Sequence, residues 1–387
     1  MARHHVPNYT RTEYVLIEND ADLCEIAIEL QKEQAIGVDL EADSMFHYQE
    51  KVCLLQISTH ALNIVFDPLS IQDLCPLAPI FADTRIKKVF HGADYDIRSL
   101  YRDFGIEVHC LFDTQIAARF LGDRETGLAS LLKKKFYVLS DKKYQKKDWS
   151  QRPLSAAMLQ YAVQDTCHLL PLAGILEREL MDKGRLFCVE EECERLSSVR
   201  PNLSKRRPFF LKFKGATRLD PRSLAVLEKV LCLRDKVARL SDRPHFKVLG
   251  NKPIIEIARI RPETKTDLTE IKGLGRKLIN HMGMSLIEKV KEGLSLPDEA
   301  LPVYPKKTRQ RLKPKEAARV KALKRLREQL GGKWGIDPAL VCTNAQIRAI
   351  AIANPGDPEN MECIKDIRKW QIKCFGQDIC NILQETG

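Results

Sequence analysis

Apolar positions near the start of the chain change from helical to strand-like spacing. Leu23, Ile26 and Leu30 recur on one helix face, which predicts a helix over residues 21–34 with Asn19 or Asp20 as its N-cap. Three short apolar runs of β-type composition follow, at residues 35–41, 52–58 and 62–68. Because the connections between these runs are short and turn-like, we expect three strands in an antiparallel meander.

Beyond residue 70, strand and helix patterns alternate. The spacing predicts strands at residues 87–91 and 107–113, and helices near residues 70–82, 94–104, 113–121, 127–136 and 155–184. A meander followed by such alternation is typical of a mixed sheet with helices packed on it. The first half of the chain is therefore predicted to be an α/β domain with flanking helices.

The second half of the chain contains an internal repeat at a fixed offset of 93 residues. The matching residues are Leu233-Arg234, Asn251, Ile254, Ile257, Ala258, Pro262 and Ile271-Lys272 with Leu326-Arg327, Asn344, Ile347, Ile350, Ala351, Pro355 and Ile364-Lys365. Apolar matches at helical spacing predict two copies of a small all-α domain. The predicted division is a domain at 1–200, a basic linker at 201–217, a helical domain at 218–295, a linker at 296–308 and a second helical domain at 309–387.

The net charge of +11 is distributed unevenly. Residues 1–200 carry a net charge of −7, and residues 201–387 carry +18. A half this basic attracts polyanions such as nucleic acid, although positive charge also aids solubility in general. The lysines at 133–135, 142, 143, 146 and 147 form a further basic segment, which either holds RNA phosphates or is a solvated surface loop.

Composition favours a globular protein that stays inside the cell. The chain is 44% apolar and 30% charged, which is unlike a disordered protein. It has no uninterrupted apolar run of about 18 residues and no apolar core typical of a secretory signal at its start. Its 12 cysteines form no CxxC pair, which favours reduced thiols over a disulfide or zinc framework. We expect a cytoplasmic protein.

Four acidic residues fall at the ends or faces of predicted elements. Asp39 and Glu41 lie two apart at the end of a strand, so both point to the same face. Asp96 lies near the start of a helix, and Asp165 lies on a helix with Tyr161 four residues earlier on the same face. Burying like charges together is costly unless a cation neutralises them.

Oxygen ligands from several elements suit hard cations such as Mg²⁺ or Mn²⁺. Two such ions about 3.5–4 Å apart activate a water and stabilise the leaving oxygen of a phosphodiester. Taken singly, an acidic strand end is more often a solvated feature. The other alternative, ribose recognition in a dinucleotide site, lacks the preceding GxGxxG sequence.

The ordered segments VDLEADS, VFHGADYDIRSL, LFDT and DWSQRPLSAAMLQYAVQDTCHLLPL resemble the motifs of the DEDD-type 3′–5′ exonucleases, and more narrowly the ribonuclease D family. The resemblance covers residues 13–200 and implies a ribonuclease H-like α/β fold. The basic repeats resemble HRDC domains, helical nucleic-acid-binding modules that follow the catalytic domain in this family.

The resemblance implies a role for each residue of the predicted site. Asp39 and Glu41 match the first motif, Asp96 the second, and Tyr161 and Asp165 the third. By resemblance, Asp39 would bridge two divalent metal ions, Glu41 and Asp165 would complete the shell of the first ion, and Asp96 would act on the second through water. Tyr161 would orient the attacking water. The histidine subgroup would have His at position 160, where this chain has Gln, so the tyrosine subgroup is the better match.

The implied activity is that of a metal-dependent 3′–5′ exoribonuclease that releases nucleoside 5′-monophosphates. The expected partner is RNA with an unpaired 3′ end, such as a tRNA precursor, and the expected state is a monomer without an obligate protein partner. Two alternatives stay open: an exonuclease directed at DNA, and a non-catalytic RNA-binding protein with an inactive nuclease fold.

Several neighbours are predicted to have other roles. Asp94 is expected to cap a helix, and Asp113 to be a cap or an anchor at the sheet end. His91 is expected to be a structural hydrogen-bonding residue. Gln56 and His47 are candidates for contact with the terminal nucleotide, outside the predicted site.

The two repeats differ in one loop. In the first repeat, the glycines of IKGLGRK (271–277) would free backbone N–H groups to approach a phosphate. Asp366 and Arg368 replace these glycines in the second repeat, which is therefore expected to serve mainly in packing.

Overall fold

The computed structural model describes residues 12–139, 143–201, 208–305 and 311–386. By its internal contacts the chain divides into a first unit of residues 1–42, 52–201 and 310–387, and a second unit of residues 43–51 and 202–309. Both predicted linkers include residues outside the described ranges, namely 202–207 and 306–310. The five-part division drawn from the sequence stays a prediction.

A mixed six-stranded sheet forms the centre of the first unit. Its strands are β1 (Val15–Ile17), β2 (Ala35–Ala42), β3 (Val52–Ser58), β4 (Asn63–Phe66), β5 (Lys87–Phe90) and β6 (Leu111–Asp113). In space the order is β1-β4-β3-β2-β5-β6. Strands β2, β3 and β4 pair antiparallel, as the meander prediction required, and the other neighbours are parallel. The predicted fold class is confirmed.

Eight helices accompany this sheet in the described part of residues 12–201. They are α1 (Asp20–Leu30), α2 (Ala78–Ala82), α3 (Asp94–Phe104), α4 (Thr114–Leu121), α5 (Leu128–Phe136), α6 (Ala156–Thr166), α7 (Leu169–Asp182) and α8 (Leu186–Ser197). Asn19 caps α1 by accepting a hydrogen bond from the Asp22 N–H. All seven residues of β3 are buried, so both faces of the sheet are covered at its centre.

The structure differs from the sequence expectation in several elements. The helix predicted at 155–184 is two helices, because Pro171 has no N–H to donate to the carbonyl of residue 167 and is tolerated only in a first turn. The strand predicted at 107–113 is confined to β6, since Cys110 has a left-handed backbone with φ of 50°. The helix predicted at 70–82 begins only with a short 3₁₀ turn at Cys75–Leu77 that leads into α2. Strand β1 and helix α8 were not predicted.

The two repeats fold as similar helical domains. The first, in the second unit, comprises α9 (Pro221–Leu240), α10 (His245–Val248), α11 (Asn251–Ile260), α12 (Lys265–Thr269) and α13 (Arg276–Leu294). The second, in the first unit, comprises α14 (Pro314–Trp334), α15 (Pro338–Val341), α16 (Asn344–Ala353) and α17 (Lys369–Glu385). Short 3₁₀ turns lie at Phe209–Lys212, Ala216–Arg218, Asp298–Ala300 and Glu359–Met361.

Repeated residues make the same contact in both domains. Arg234 donates to Asn251 Oδ1 over 2.7 Å, and Arg327 donates to Asn344 Oδ1 over 3.0 Å. The repeat read from the sequence therefore corresponds to a repeated three-dimensional arrangement.

The second helical domain shares one continuous apolar core with the sheet. Trp370 of α17 packs edge-on against Phe120 of α4, with ring centroids 5.0 Å apart. Arg185, just before α8, donates to the carbonyl of Trp334 over 2.6 Å. These contacts make the second repeat a structural part of the first unit. Among the described residues, no helix has both the length and the apolar character needed to cross a bilayer.

Candidate active site

Asp39 and Glu41 lie at the end of β2, in the middle of the sheet. In the antiparallel register with β3, Asp39 stands opposite Gln56 and Glu41 opposite Leu54. Because alternate residues of a strand point to one face, both carboxyl groups lie on the same side of the sheet. The register shifts between Glu41 and Ala42, where β2 ends. Asp43 therefore lies beyond the strand, where it is buried and accepts a hydrogen bond from the Lys51 N–H over 2.8 Å.

Gly37 lets the junction of α6 and α7 approach this strand closely. A Cβ atom at Gly37 would lie 3.1 Å from both the Thr166 carbonyl oxygen and the Leu169 Cβ atom, so any larger residue would displace the helices. The Ser58 hydroxyl donates to Thr166 Oγ1 over 2.7 Å and fixes the end of α6 on β3. Asp165, the preceding residue on α6, is thereby held beside β2.

Three carboxyl groups meet at this point. One carboxylate oxygen from each of Asp39, Glu41 and Asp165 lies within 4.8 Å of the other two. All three side chains are half-buried. Within the described ranges, this is the one group of three or more His, Cys, Asp or Glu side chains with such spacing.

Asp96 lies outside this group of three but acts on it electrostatically. It is buried in the first turn of α3, and its charge raises the pKa values of Asp39 and Glu41. Asp113 positions this turn, because its carboxylate accepts from the Gly92 and Ala93 N–H groups over 3.1 and 2.8 Å. Asp113 also caps α4, so its expected role as cap and anchor is confirmed.

The expectation for Asp94 was wrong. Helix α3 begins at Asp94 itself, with Ala93 as the N-cap and no side-chain cap. The Asp94 carboxylate instead accepts from Arg98, one turn further along the helix, at 2.9 Å. This i, i+4 pair is the usual use of an acid in a first helical turn.

Burial and like charges raise the pKa values of all four acids. Burial, then the charges of Asp96, Asp165 and Glu41, raises the pKa of Asp39 well above its ordinary value. Burial and the charges of Asp165 and Asp96 raise the pKa of Glu41 to about 9. Burial raises the pKa of Asp165 to about 6, and burial with the charge of Asp113 raises that of Asp96 to about 7.

Tyr161 lies one helical turn before Asp165, and its phenol hydroxyl donates a hydrogen bond to that carboxylate. Its ring packs against Tyr144 and Trp149, with centroid distances of 5.8 and 6.2 Å. Burial and the nearby carboxylates raise the pKa of Tyr161, so the phenol stays protonated at neutral pH. The side chain is thus a fixed hydrogen-bonding group rather than a base.

The acids open into a cleft of about 390 Å³ whose lining also includes His91, Gln115 and Gln145. The Thr114 hydroxyl donates to the Phe90 carbonyl and accepts from His91 Nδ1, each over 2.9 Å. Nδ1 therefore carries the proton, and Nε2 is a buried acceptor without a hydrogen-bond partner among the described residues. Burial lowers the pKa of His91, which keeps the ring neutral.

The structure separates the two candidates for nucleotide contact. His47 lies in the second unit, where its Nδ1 is 2.6 Å from Asp242 Oδ2. Gln56 is fully buried opposite Asp39, and neither atom of its amide has a hydrogen-bond partner in the described part of the chain. The roles of the Gln115 and Gln145 positions in the cleft were missed, because neither belongs to a recognisable motif.

The donor set fits hard divalent cations. It consists of carboxylate oxygens on β2 and α6, with no thiol among the cleft-lining side chains described. The raised pKa values show that the acids repel one another when no cation is bound. A divalent cation would remove that repulsion, which favours such a ligand over an arrangement of solvated acids.

Comparison with known proteins gives a consistent result. A family model described as 3′–5′ exonuclease matches residues 14–181, and one described as HRDC domain matches residues 223–290 and 316–383. Ribonuclease D of Pseudomonas paraeruginosa is 28% identical over 379 residues, covering 97% of this chain and 99% of that protein. The crystal structure of Escherichia coli RNase D has a TM-score of 0.72 and 26% identity, and covers 97% of this chain and 99% of its own.

The crystal structure of the catalytic core of RRP6 from Trypanosoma brucei is also similar. It has a TM-score of 0.66 and 30% identity, and covers 78% of this chain and 85% of its own. The chain belongs to the ribonuclease D family. Its exonuclease domain is that of a hydrolase, and both helical domains are HRDC domains, as the sequence resemblance implied.

The raised pKa values predict how stability depends on pH in the metal-free protein. An acid whose pKa is higher in the folded state keeps its proton there, so the folded state loses stability as pH rises from the unfolded value toward the folded one. For Glu41 this window runs from about 4.5 to about 9. In EDTA, Glu41→Gln should raise the melting temperature at pH 8 by a few degrees and flatten its fall between pH 5 and 8.

Differential scanning fluorimetry measures this effect directly. Glu18→Gln, at an exposed position in the same unit, is the matched control and should follow the wild type. A Glu41→Gln protein that melts below the wild type at pH 8 would contradict the electrostatic description of the site.

Proposed function

We propose that this protein is a metal-dependent 3′–5′ exoribonuclease that trims RNA 3′ ends, including those of tRNA precursors, and releases nucleoside 5′-monophosphates. The observation that carries the proposal is the convergence of Asp39, Glu41 and Asp165 at the edge of an exonuclease-family sheet. Escherichia coli RNase D is described as an exoribonuclease involved in structured RNA processing, which supports RNA as the substrate class.

Each acid has a proposed role. Glu41 and Asp165 would hold a first divalent ion, either Mg²⁺ or Mn²⁺, together with Asp39. Asp39 and Asp96 would hold a second ion, with Asp96 acting from its buried position in the first turn of α3. When bound, such ions supply charge neutralisation at the phosphodiester and activation of the attacking water.

Tyr161 is proposed to orient the attacking water. Its hydroxyl is held by Asp165 at the wall of the cleft, and its aromatic neighbours restrict the ring. With its raised pKa the phenol is a poor general base, so its contribution is alignment through a hydrogen bond. The unpartnered acceptor at His91 Nε2 and the amides of Gln115 and Gln145 would line the terminal nucleotide.

The first HRDC domain is proposed to supply RNA affinity. Lys272, Arg276 and Lys277 are exposed around the start of α13 and have no described ion-pair partner. The N-cap Gly275 has no side chain to occupy the first N–H groups of this helix. Free N–H groups beside three cations suit an RNA phosphate.

The second HRDC domain uses the equivalent helix start differently. The Glu191 carboxylate accepts from the N–H groups of Lys369 and Trp370 over 2.8 and 2.7 Å, and Glu192 accepts from Arg368 and from the Trp370 indole. Carboxylates of α8 thus take the place that a phosphate would occupy. This arrangement supports a packing role for the second domain, as its departure from the glycine loop suggested.

The chain is proposed to act as a single copy on RNA. Its basic half would offset the repulsion between RNA and the acidic half, which carries a net charge of −7. The alternative of an exonuclease directed at DNA is tested by competition, as described below.

The proposed function predicts stepwise trimming that depends on the acids. A 5′-labelled RNA hairpin with a short unpaired 3′ extension, incubated with Mg²⁺, should shorten one nucleotide at a time on a denaturing gel. Asp165→Asn and Asp96→Asn should each slow this reaction by at least about 10²-fold, since each removes a charge that the proposed ions require.

Asp94→Asn is the matched control for Asp96→Asn, because Asp94 lies two residues away and pairs with Arg98. It should trim at the wild-type rate. Internal cleavage, or equal rates for all variants, would refute the proposal. A matched DNA strand that competes as well as the RNA would favour the DNA-directed alternative.

A second prediction concerns the first HRDC domain. The triple variant Lys272→Ala, Arg276→Ala, Lys277→Ala should bind RNA more weakly and with a smaller salt dependence. The slope of log K against log salt should fall by about two, at roughly 0.7 for each lost single-strand phosphate contact. Fluorescence anisotropy at several salt concentrations measures both quantities.

Lys365→Ala tests the same position in the second HRDC domain, since Lys365 corresponds to Lys272 in the repeat. It should leave the affinity and the slope unchanged. An unaltered slope in the triple variant would remove the proposed role of the first domain.

A further inference from the structure

A second cavity adjoins the catalytic cleft. It has a volume of about 700 Å³ and lies along α5. Ala129 and Ser130, in the first turn of α5, line both this cavity and the cleft that contains Asp39 and Asp165. The two spaces are therefore separated by no more than one helical turn. We call the second cavity the α5 groove, bounded by Arg124, Ser130, Lys133, Lys134, Tyr137 and Leu139.

One face of α5 forms the floor of this groove. Ser130, Lys133, Lys134 and Tyr137 follow one another at intervals of three, four and seven residues from Ser130, which places them on the same side of the helix. At a rise of 1.5 Å per residue, this face extends about 10 Å away from the rim of the catalytic cleft. It is a straight path for a strand that leaves the cleft.

Two cations of this path are free to meet a phosphate. Lys134 pairs with Asp123, and outside the groove Lys135 pairs with Glu179. Lys133 and Arg124 are exposed and have no ion-pair partner among the described residues. The sequence analysis could not separate these cases, and Lys142 of the same basic segment lies outside the described residues. Glu125 is also in the lining, so the groove has a net charge of +1.

The far end of the path is apolar and exposed. Tyr137 is 82% exposed and Leu139 is 79% exposed, although both are large side chains that normally lose contact with water. Tyr137 ends α5 in a left-handed conformation with φ of 60°, which presents its ring beyond the last turn of the helix. Aromatic rings on a cationic path are the usual platforms for the bases of single-stranded nucleic acid.

We propose that the α5 groove binds the single-stranded RNA immediately upstream of the 3′-terminal nucleotide. Arg124 and Lys133 contact its phosphates, the Ser130 hydroxyl contacts the backbone at the shared rim, and Tyr137 stacks on a base. The inference rests on the proposed function, because it assumes that the terminal nucleotide occupies the cleft. It explains how an acidic catalytic domain holds a polyanion up to the point of cleavage.

Steady-state kinetics with two substrates test the groove separately from the cleft. The substrates are a ribodinucleotide, which occupies the cleft and its rim, and an unstructured eight-nucleotide RNA, which also reaches along α5. The full chain with Mg²⁺ is used throughout. The variants are Tyr137→Ala, Tyr137→Phe and the double variant Arg124→Ala, Lys133→Ala.

The groove predicts a length-dependent change in KM. Tyr137→Ala and the double variant should each raise KM for the eight-nucleotide RNA about tenfold, leave kcat within about twofold, and leave KM for the dinucleotide unchanged. Tyr137→Phe keeps the ring and should behave as the wild type. Arg178→Ala, an exposed position on α7 away from the groove, is the control for loss of one positive charge and should change neither KM.

Two results would overturn the inference. One is a wild-type KM for the eight-nucleotide RNA in both groove variants. The other is an equal rise in KM for both substrates, which would place the defect in the cleft. If the wild type hydrolyses neither substrate, the proposed function itself fails, which is a different result from hydrolysis with unchanged KM values.

Discussion

Repulsion among four carboxyl groups at one end of the central sheet is the constraint on which the first unit depends. Asp39, Glu41 and Asp165 are half-buried within 4.8 Å of one another, and Asp96 adds its field from the first turn of α3. Without a cation the folded state relieves this repulsion by holding protons, as the raised pKa values indicate. Every contact that brings these groups together therefore opposes an electrostatic cost.

The surrounding structure offsets this cost through packing rather than through compensating charges at the site. Gly37 admits the α6–α7 junction to within contact of β2, and the Ser58–Thr166 hydrogen bond secures it. Asp113 fixes the α3 turn through two N–H groups. On the side of α8, the second HRDC domain extends the same apolar core and is held by Glu191 and Glu192. A rigid frame of this kind keeps the acids in place for cations and substrate.

The sequence predicted the elements that have regular periodicity. The meander, α3 and both helical repeats follow from apolar spacing, and the family resemblance identified the three residues that converge in space. The break between α6 and α7 was missed, since Pro171 in a first turn looks the same in sequence as a continuing helix. The role of Asp94 was wrong, because the choice between a cap and an i, i+4 pair depends on where the backbone turns. The pairing of Lys134 and Lys135 was out of reach, as their partners are 11 and 44 residues distant.

The most direct test of this account is a calorimetric titration of the metal-free protein with Mn²⁺ at pH 7, repeated in two buffers of different ionisation enthalpy. Glu41, with a pKa of about 9, and Asp96, with a pKa of about 7, hold protons that bound cations must displace. We predict release of about one proton per chain on binding, and less in Glu41→Gln. Binding without proton release, or no binding at millimolar Mn²⁺, would contradict the central claim that the acids converge to hold divalent cations.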